Sequence, residues 1–166
     1  MKKNSHLPLF GAGPFYVITI SVMTVTALLL HHFGVISFSS PYYVSLVLKI
    51  AGILMIIAGV FIWFEAAIAC QLTKNIKANK LITTGIYAYV RHPIYSAFTI
   101  AEWGMLFWTG NIYLFLLIPL YWAFFTILMK KTEEKWMEDK FGDEYREYSR
   151  RVNRCIPWFP KKKTDA

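Results

Sequence analysis

Charge is the first scarcity of this chain. Only 17% of its 166 residues are Asp, Glu, Lys or Arg, against roughly 25% in an ordinary soluble domain. Acids are rarer than bases, 10 against 18, which leaves a formal net charge of +8. Cysteine occurs only at Cys70 and Cys155, with no CxxC pair. A disulfide framework or a cysteine-based metal site is therefore not expected. His31-His32 lacks companions at metal-ligand spacing, so no metal is expected either. Internal repeats and low-complexity segments are also missing. What takes their place is apolar: 56% of the residues are hydrophobic, and stretches 14–35 and 103–129 run for 22 and 27 residues without a charge. Runs of 18 or more apolar residues read as membrane spans. That excludes a soluble enzyme, a disordered tail and a disulfide-stapled secreted domain.

Four segments are long and apolar enough to cross a bilayer, at roughly 14–30, 44–71, 93–109 and 112–129. Crossing about 30 Å of hydrocarbon takes about 20 residues. The third segment has 17, so its ends are expected in the headgroup region. Gly110-Asn111 separates the last two, and both residue types suit positive φ; a tight turn between antiparallel helices is expected. The fold class is an all-α integral membrane protein, residues 1–166 forming a single membrane domain of four transmembrane helices with a cytoplasmic amphipathic helical cap over 130–166.

The cations set the orientation. Lys2 and Lys3 precede the first span, Lys74, Lys77, Lys80 and Arg91 lie between the second and third, and eleven more Lys or Arg follow Met129. Connections 31–43 and 110–111 carry none. Both termini on the cytoplasmic side place 17 of the 18 cations inside, all but Lys49, as the positive-inside rule requires. The positive balance thus reads as topology rather than nucleic-acid binding, and no nucleic-acid partner is expected; the expected partner is the lipid bilayer. Ser37-Phe38-Ser39 is a weak small-x-small site, but the preceding apolar run exceeds the usual 7–15 residues of a signal peptide, so cleavage is not expected.

The last 37 residues change character, and segment 130–165 holds 19 of the 28 charged residues. Trp136, Met137, Phe141, Tyr145 and Tyr148 recur at helical steps of three and four. Phe141-Gly142 reads as a helix stop with Gly142 at C′, and a second short helix starts at Asp143. Pro157 and Pro160 end regular structure, with Lys161, Lys162 and Lys163 in a solvated tail.

Two constellations carry chemistry. Segment 81–95, LITTGIYAYVRHPIY, sets Arg91, His92 and three tyrosines at the mouth of the third span. Pro93 fits the first turn of a helix, whose first N–H groups make a seat for a carboxylate. Interfacial anchoring is the plainer reading of the same residues, since aromatics and Arg are common at that depth. The second constellation is Glu133-Glu134, followed by FGDEYREY at 141–148, Arg151-Val152 and Ile156-Pro157. Alone, it reads as a solvated helix start.

Taken together, these stretches resemble the isoprenylcysteine carboxyl methyltransferase and phospholipid methyltransferase superfamily. Its pattern is G-x-Y-x-Y-x-R-H-P-x-Y before a transmembrane hairpin, then a Glu-Glu pair, F-G-x-x-Y-x-x-Y and a basic, Pro-containing tail. The resemblance runs from Leu81 to Pro157 and implies a membrane methyltransferase dependent on S-adenosylmethionine. Its acceptor would be lipophilic, a prenylcysteine-type carboxylate or a phospholipid-type amine. The cofactor contacts it implies are Gln71, Asn79, Lys80, Leu81, Ile82, Tyr87, His92, Pro93, Ile94, Tyr95 and Glu133. Arg91 and Glu134 are the catalytic candidates it brings. Two departures stand out: the Gly after R-H-P-x-Y-x is Ala97, and the family's substrate-facing Arg, four residues before the first Glu, is Met129. Lys130 and Lys131 beside it lack the bidentate fork of Arg.

Two acids fall inside the expected spans, Glu65 and Glu102. Ionisable groups there are functional candidates by default. Glu65, the nearer to the cofactor level, is a candidate base or amine ligand, and Glu102 a candidate substrate-facing group; the structural alternative is a protonated or helix-bonded carboxyl. Two other functions remain open: a membrane reductase akin to the sterol reductases, which look similar in this C-terminal region and use NADPH, and a non-catalytic membrane scaffold.

Overall fold

Proline opens the helices that matter most here. In the computed structural model, which describes residues 11–38 and 40–161, Pro14 lies in the first turn of α1 (Gly13–His32) and Pro93 begins α4 (Pro93–Thr109). A prolyl nitrogen at these positions forfeits no intrahelical bond. Between them run α2 (Tyr42–Phe64), a π-helical turn (Glu65–Ala69), α3 (Leu72–Lys77) and a 3-10 turn (Gly85–Ala88). A second 3-10 turn (Ile112–Leu116) follows α4 and leads into α5 (Leu117–Lys131), α6 (Glu133–Phe141) and α7 (Asp143–Arg151). No strand occurs among the described residues; a lone parallel bridge joins Val90 to Asn153. Lys2, Lys3, Ser39, Lys162 and Lys163, which enter the orientation, processing and tail expectations, lie outside the described residues, as does the side chain of Lys77.

Three helical stretches are long and apolar enough to cross a membrane: Gly13–His32, Tyr42–Ala69 and Ile112–Phe141. The apolar part of the last ends at Met129, Lys130 and Lys131 close α5, and charged residues fall in the first and last turns of both α6 and α7. At 17 residues α4 falls short of that length, rising about 26 Å at 1.5 Å per residue.

The helices expose apolar side chains outward and keep their few polar groups inside, among a largely apolar core. On α1, Phe15, Ile18, Val22, Val25 and Leu29 are each at least half exposed, whereas Tyr16, Ile20, Thr24 and Ala27 are buried. The Tyr16 hydroxyl lies 2.7 Å from Thr99 Oγ1, and that of Tyr121 2.9 Å from Thr24 Oγ1. Ser21 donates to Glu102 Oε1 at 2.7 Å. This is the arrangement hydrocarbon demands, because polar groups there must be satisfied by other helices.

α2 and α4 make the most intimate helix pair. A Cβ at Gly52 would stand 2.5 Å from the Gly104 carbonyl oxygen, and one at Gly104 would stand 2.6 Å from that of Gly52. A turn or two away, a Cβ at Gly59 would meet the Ala97 carbonyl oxygen at 2.7 Å. Small residues allow backbones to close to contact in this way. Ala97, where the resembled pattern has Gly, therefore sits in a helix seam that accommodates its single methyl group.

The sequence expectations need two local corrections. Gly110 does adopt φ +65, but Asn111 is extended at φ −93 and caps the next turn, its Oδ1 accepting from Tyr113 N at 3.0 Å. Its buried carboxamide also donates to Ile36 O at 2.9 Å, so a side chain supplies what a second left-handed residue would otherwise have to. The expected second helix, 44–71, is α-helical only as far as Phe64. It then widens into the π turn, and Gln71, at φ +48, breaks it. In the cap, Gly142 (φ +56) parts α6 from α7 as its position suggested. Leu81, Tyr145, Tyr148 and Val152 form a buried cluster under the cap, with Met137 and Phe141 packed on it.

Candidate functional site

The segment leading into α4 is pinned before it reaches the helix. Tyr148 donates its hydroxyl to the Tyr87 carbonyl at 2.6 Å, and Arg91 N–H donates to Asn153 O at 2.8 Å. Leu81 is buried in the cluster beneath the cap, and Asn79, at φ +53, accepts a hydrogen bond from Lys140 of α6. The loop that carries the motif is thus clamped by α6, α7 and the segment after them. His92 takes the N-cap position of α4, and the first bond of the helix runs from Ser96 N to His92 O. The amides of Ile94 and Tyr95 precede that bond and have no acceptor within the helix.

Two adjacent carboxyls of α6 grip opposite sides of this junction. Glu133 Oε1 accepts from the Tyr95 hydroxyl at 2.6 Å and from the backbone N–H of Ala12 at 3.1 Å, while Oε2 lies 3.5 Å from His92 Nδ1. One side chain therefore ties the start of α1, the start of α4 and α6 together. Gly11 and Gly13 make this possible: Gly11 has φ +47, and a Cβ at either would run into the Glu133 carboxyl or the Tyr95 ring. Glu134 turns the other way. Its two oxygens receive Arg154 Nε at 2.7 Å and Nη2 at 2.9 Å, a bidentate pair. Oε1 also lies 3.1 Å from Arg91 Nη1 and 3.4 Å from His92 Nε2.

This clustering fixes the charges. Burial raises the Glu134 carboxyl, but hydrogen bonds from His92 and Arg154 and the Arg91 charge outweigh it and bring its pKa down to about 2. Burial opposes a charge on His92, yet the hydrogen bonds and charges of Glu133 and Glu134 prevail and hold the imidazole above its ordinary value. Burial pushes the Tyr87 and Tyr148 phenols up, and Tyr145 to about 12. The ring of His92, caught between two carboxyls, is a poor candidate for a neutral base and a good one for a fixed strut.

Beside this junction lies a cavity of about 500 Å³, within the usual range for small-molecule sites. Its polar lining comes from Lys80, Tyr87, Arg91, His92, Tyr95 and Glu133. Its apolar lining is drawn largely from two helices, Pro14 and Val17 of α1 and Ile94 and Phe98 of α4. Trp136, Met137 and Tyr145 contribute from the cap, and Leu72 and Thr73 from α3. Arg91 Nε is buried and has no hydrogen-bond partner among the described residues.

Of the residues singled out in the sequence, Lys80, Ile82, Tyr87, Arg91, His92, Pro93, Ile94, Tyr95 and Glu133 line this cavity. Asn79 and Leu81 anchor the loop behind it, Gln71 is exposed, and Glu134 stands behind His92. Glu65 lies half-buried in the π turn and does not line the cavity. Glu102 is buried against Ser21 within the helices, and Met129 is fully buried in the core with Tyr16 and Phe125. The α1 wall was missed, because no local pattern announces a contact 121 residues long such as Ala12 to Glu133. Arg154 was missed too, since one Arg in a basic tail carries no distinguishing signal.

Comparison with known proteins bears on the same region. The family model described as phospholipid methyltransferase matches residues 47–144, from α2 to the start of α7. Protein-S-isoprenylcysteine O-methyltransferase of Schizosaccharomyces pombe is 42% identical over 89 residues, 53% of this chain and 37% of that protein. Methanethiol S-methyltransferase 1 of Bradyrhizobium diazoefficiens is 41% identical over 73 residues, 44% of this chain and 25% of that protein. Protein-S-isoprenylcysteine O-methyltransferase of Homo sapiens is 28% identical over 135 residues, 71% of this chain and 44% of that protein. The chain thus spans less than half the length of each of these relatives. No solved structure matches. The family match takes in more than half of the chain, with the loop before α4 and the Glu133-Glu134 pair of α6 but not the chain after residue 144, and by that match the chain belongs to the phospholipid methyltransferase family.

Proposed function

We propose that this protein transfers a methyl group from S-adenosylmethionine to a lipophilic acceptor at the cytoplasmic boundary of a membrane. The observation that carries the reading is the mixed lining of the cavity: polar groups at Glu133, His92 and Arg91 share it with apolar side chains of the helices α1 and α4. A water-soluble donor and a lipid-soluble acceptor can meet only at such a boundary. The family match and the methyltransferase names of the relatives support the same reaction class, and they leave the reductase alternative without support.

The donor set suits the cofactor. Its carboxylate matches Arg91 Nε, unpartnered among the described residues, and the first amides of α4 at Ile94 and Tyr95. Its cationic and hydroxyl groups match the Glu133 carboxyl. Lys80, Ile82, Tyr87 and Pro93 complete the holding set, with Asn79 and Leu81 acting through the loop they anchor. Gln71, exposed beyond the π turn, is left out of this set. When bound, S-adenosylmethionine supplies a methyl group on a sulfonium, open to in-line displacement by a nucleophile. The protein's own part is to hold, orient and exclude water. Glu133 fixes the wall positions by joining α1, α4 and α6. Glu134 and Arg154 keep Arg91 and His92 in place from behind, which makes Glu134 a positioning residue.

The acceptor enters laterally, past Val17 and Phe98. A prenylcysteine-type carboxylate needs no base, whereas a phospholipid-type amine must first lose a proton. Glu65, in the π turn outside the cavity lining, would serve only an amine acceptor that extends to that turn, and full methylation by Glu65→Gln would remove it from the reaction. With Met129 buried where the resembled pattern has Arg, a carboxylate acceptor would have to be met by Arg91 or Lys80. Glu102, bonded to Ser21, is read as a helix-joining group.

The proposed topology has four crossings, with α4 as the short third one packed against α2, and both termini cytoplasmic. It is supported by the seam of Gly52, Gly59 and Gly104 and by the 17 of 18 cations that it places inside.

Calorimetry of the purified protein tests the cofactor assignment. S-adenosylhomocysteine binding with no NADPH binding is expected. NADPH binding alone would favour the reductase, and binding of neither the scaffold.

A further inference from the structure

The other end of the helix bundle carries a second cavity, of about 530 Å³, lined by Leu28, His31 and His32 of α1, Lys49 of α2 and Trp108 and Thr109 of α4. The site at Glu133 touches the first turns of α1 and α4, and this one touches their last turns. Along α4, Tyr95 and Trp108 are about 20 Å apart at 1.5 Å per residue. We propose that this cavity binds the phosphate of an anionic membrane lipid, with Lys49 as its counter-charge.

Lys49 carries an unbalanced charge. Lys49 is the one Lys or Arg at this end of the described residues. Neither α1 nor α2 contains an acid, and the nearest acid along α4, Glu102, accepts from Ser21. No ion pair of Lys49 occurs among the described residues; its ammonium instead lies 6.0 Å from the centroid of the Trp108 ring. A cation at the edge of hydrocarbon is costly unless its stem carries the head to an anion or to water. The aromatic face orients the ammonium without neutralising it.

The surroundings identify the kind of anion. Asn111 Nδ2 donates to Ile36 O at 2.9 Å and lies 3.2 Å from His31 Nδ1; with its second N–H given to Nδ1, the His31 proton sits on Nε2, the ring nitrogen that can donate to an oxyanion. His32 is exposed beside it. A compact oxyanion suits an ammonium and imidazole nitrogens. Leu28 and Trp108 supply apolar walls, and Trp108, Tyr42, Tyr43 and Tyr113 are exposed at this level, as in an interfacial belt. Walls of that character favour a phosphodiester with attached chains over free phosphate. The site needs no part of the methyl-transfer chemistry.

Native mass spectrometry of the full-length protein in detergent tests this, with dioleoylphosphatidylglycerol, dioleoylphosphatidylcholine and inorganic phosphate as separate probes. Wild type and Lys49→Arg are expected to retain at least one more phosphatidylglycerol than Lys49→Gln at equal lipid concentration, with all three alike in phosphatidylcholine. Lys130→Gln, on the basic side of the bundle, should leave that difference unchanged. Equal phosphatidylglycerol retention by wild type and Lys49→Gln would overturn the proposal. So would displacement of the retained lipid by millimolar phosphate, which would make this a free-anion site. Should Lys49→Gln not fold, wild type can be cross-linked with a phosphatidylglycerol bearing a headgroup photolabel. Adducts at residues 28–32 or 108–109 are expected, and labelling confined to the cap would contradict the site.

Discussion

Tyr95 donates its hydroxyl to Glu133 across 2.6 Å, and the same carboxyl oxygen takes the backbone N–H of Ala12. This one junction closes the cavity between helices that are far apart in sequence. Its removal should be felt at the site before it is felt in the fold. A hydrogen bond to a charged group contributes about 1.5–3 kcal/mol. Tyr95→Phe is therefore expected to weaken S-adenosylhomocysteine binding roughly tenfold or more, with an unchanged helical circular dichroism spectrum. Calorimetry on the purified variant reads the first and dichroism the second; wild-type affinity would detach Tyr95 from the site.

Arg154 holds Glu134 through both of its oxygens. Arg154→Ala leaves that carboxyl with Arg91 and His92 alone and is expected to lower stability by about 2 kcal/mol, because a partly buried pair is broken on one side. Arg154→Lys keeps the charge but loses the fork, so an intermediate melting temperature is expected. Thermal unfolding in detergent orders the three proteins.

At the α2–α4 seam, Gly104→Ala sets a methyl group against the Gly52 carbonyl and the Ile56 side chain. Overpacking of this kind costs about 1–3 kcal/mol. Ala97→Gly opens the same seam by one methyl group and is expected to change stability by about 1 kcal/mol. Loss of folded yield in Gly104→Ala and near-normal yield in Ala97→Gly, by size-exclusion chromatography, is the expected pair of outcomes.

The charge cluster also sets a pH window. Glu134 has a folded pKa of about 2, below its ordinary 4.5, so its contribution is complete above 4.5 and is lost as pH falls towards 2. His92 is held above its ordinary 6.5, so its contribution is complete below 6.5 and is lost as pH rises through the folded value. Melting temperature of the cofactor-free protein is therefore expected to be highest between about pH 4.5 and 6.5. Glu134→Gln should flatten the acid limb and His92→Gln the alkaline limb. An acid limb unchanged in Glu134→Gln would contradict the assignment.

Much of this was legible in the chain because the signals are local. Pro93 begins a helix, Gly142 parts two helices, and Gly110 turns left-handed, each for a steric reason carried by the residue itself. The run from Lys80 to Tyr95 and Glu133 announced most of the polar lining of the cavity. What stayed hidden depends on partners remote in sequence. Gly11 and Gly13 look like loop residues until Glu133 and Tyr95 lie against them. Arg154 is one basic residue among many until it meets Glu134. The π turn after Phe64 and the capping role of Asn111 replace the unbroken second span that an apolar run suggested and the positive-φ pair that Gly110-Asn111 suggested.

The proposed methyl transfer to a membrane-soluble acceptor is tested most directly by one measurement. Purified protein is incubated with S-adenosylmethionine labelled in its methyl group and a total lipid extract, and the organic phase is counted. Label is expected in an extractable product, reduced at least tenfold in Glu133→Ala and His92→Ala while both variants remain folded. An organic phase without label, from protein shown to bind S-adenosylhomocysteine, would contradict a lipophilic acceptor; full labelling by both variants would contradict the site.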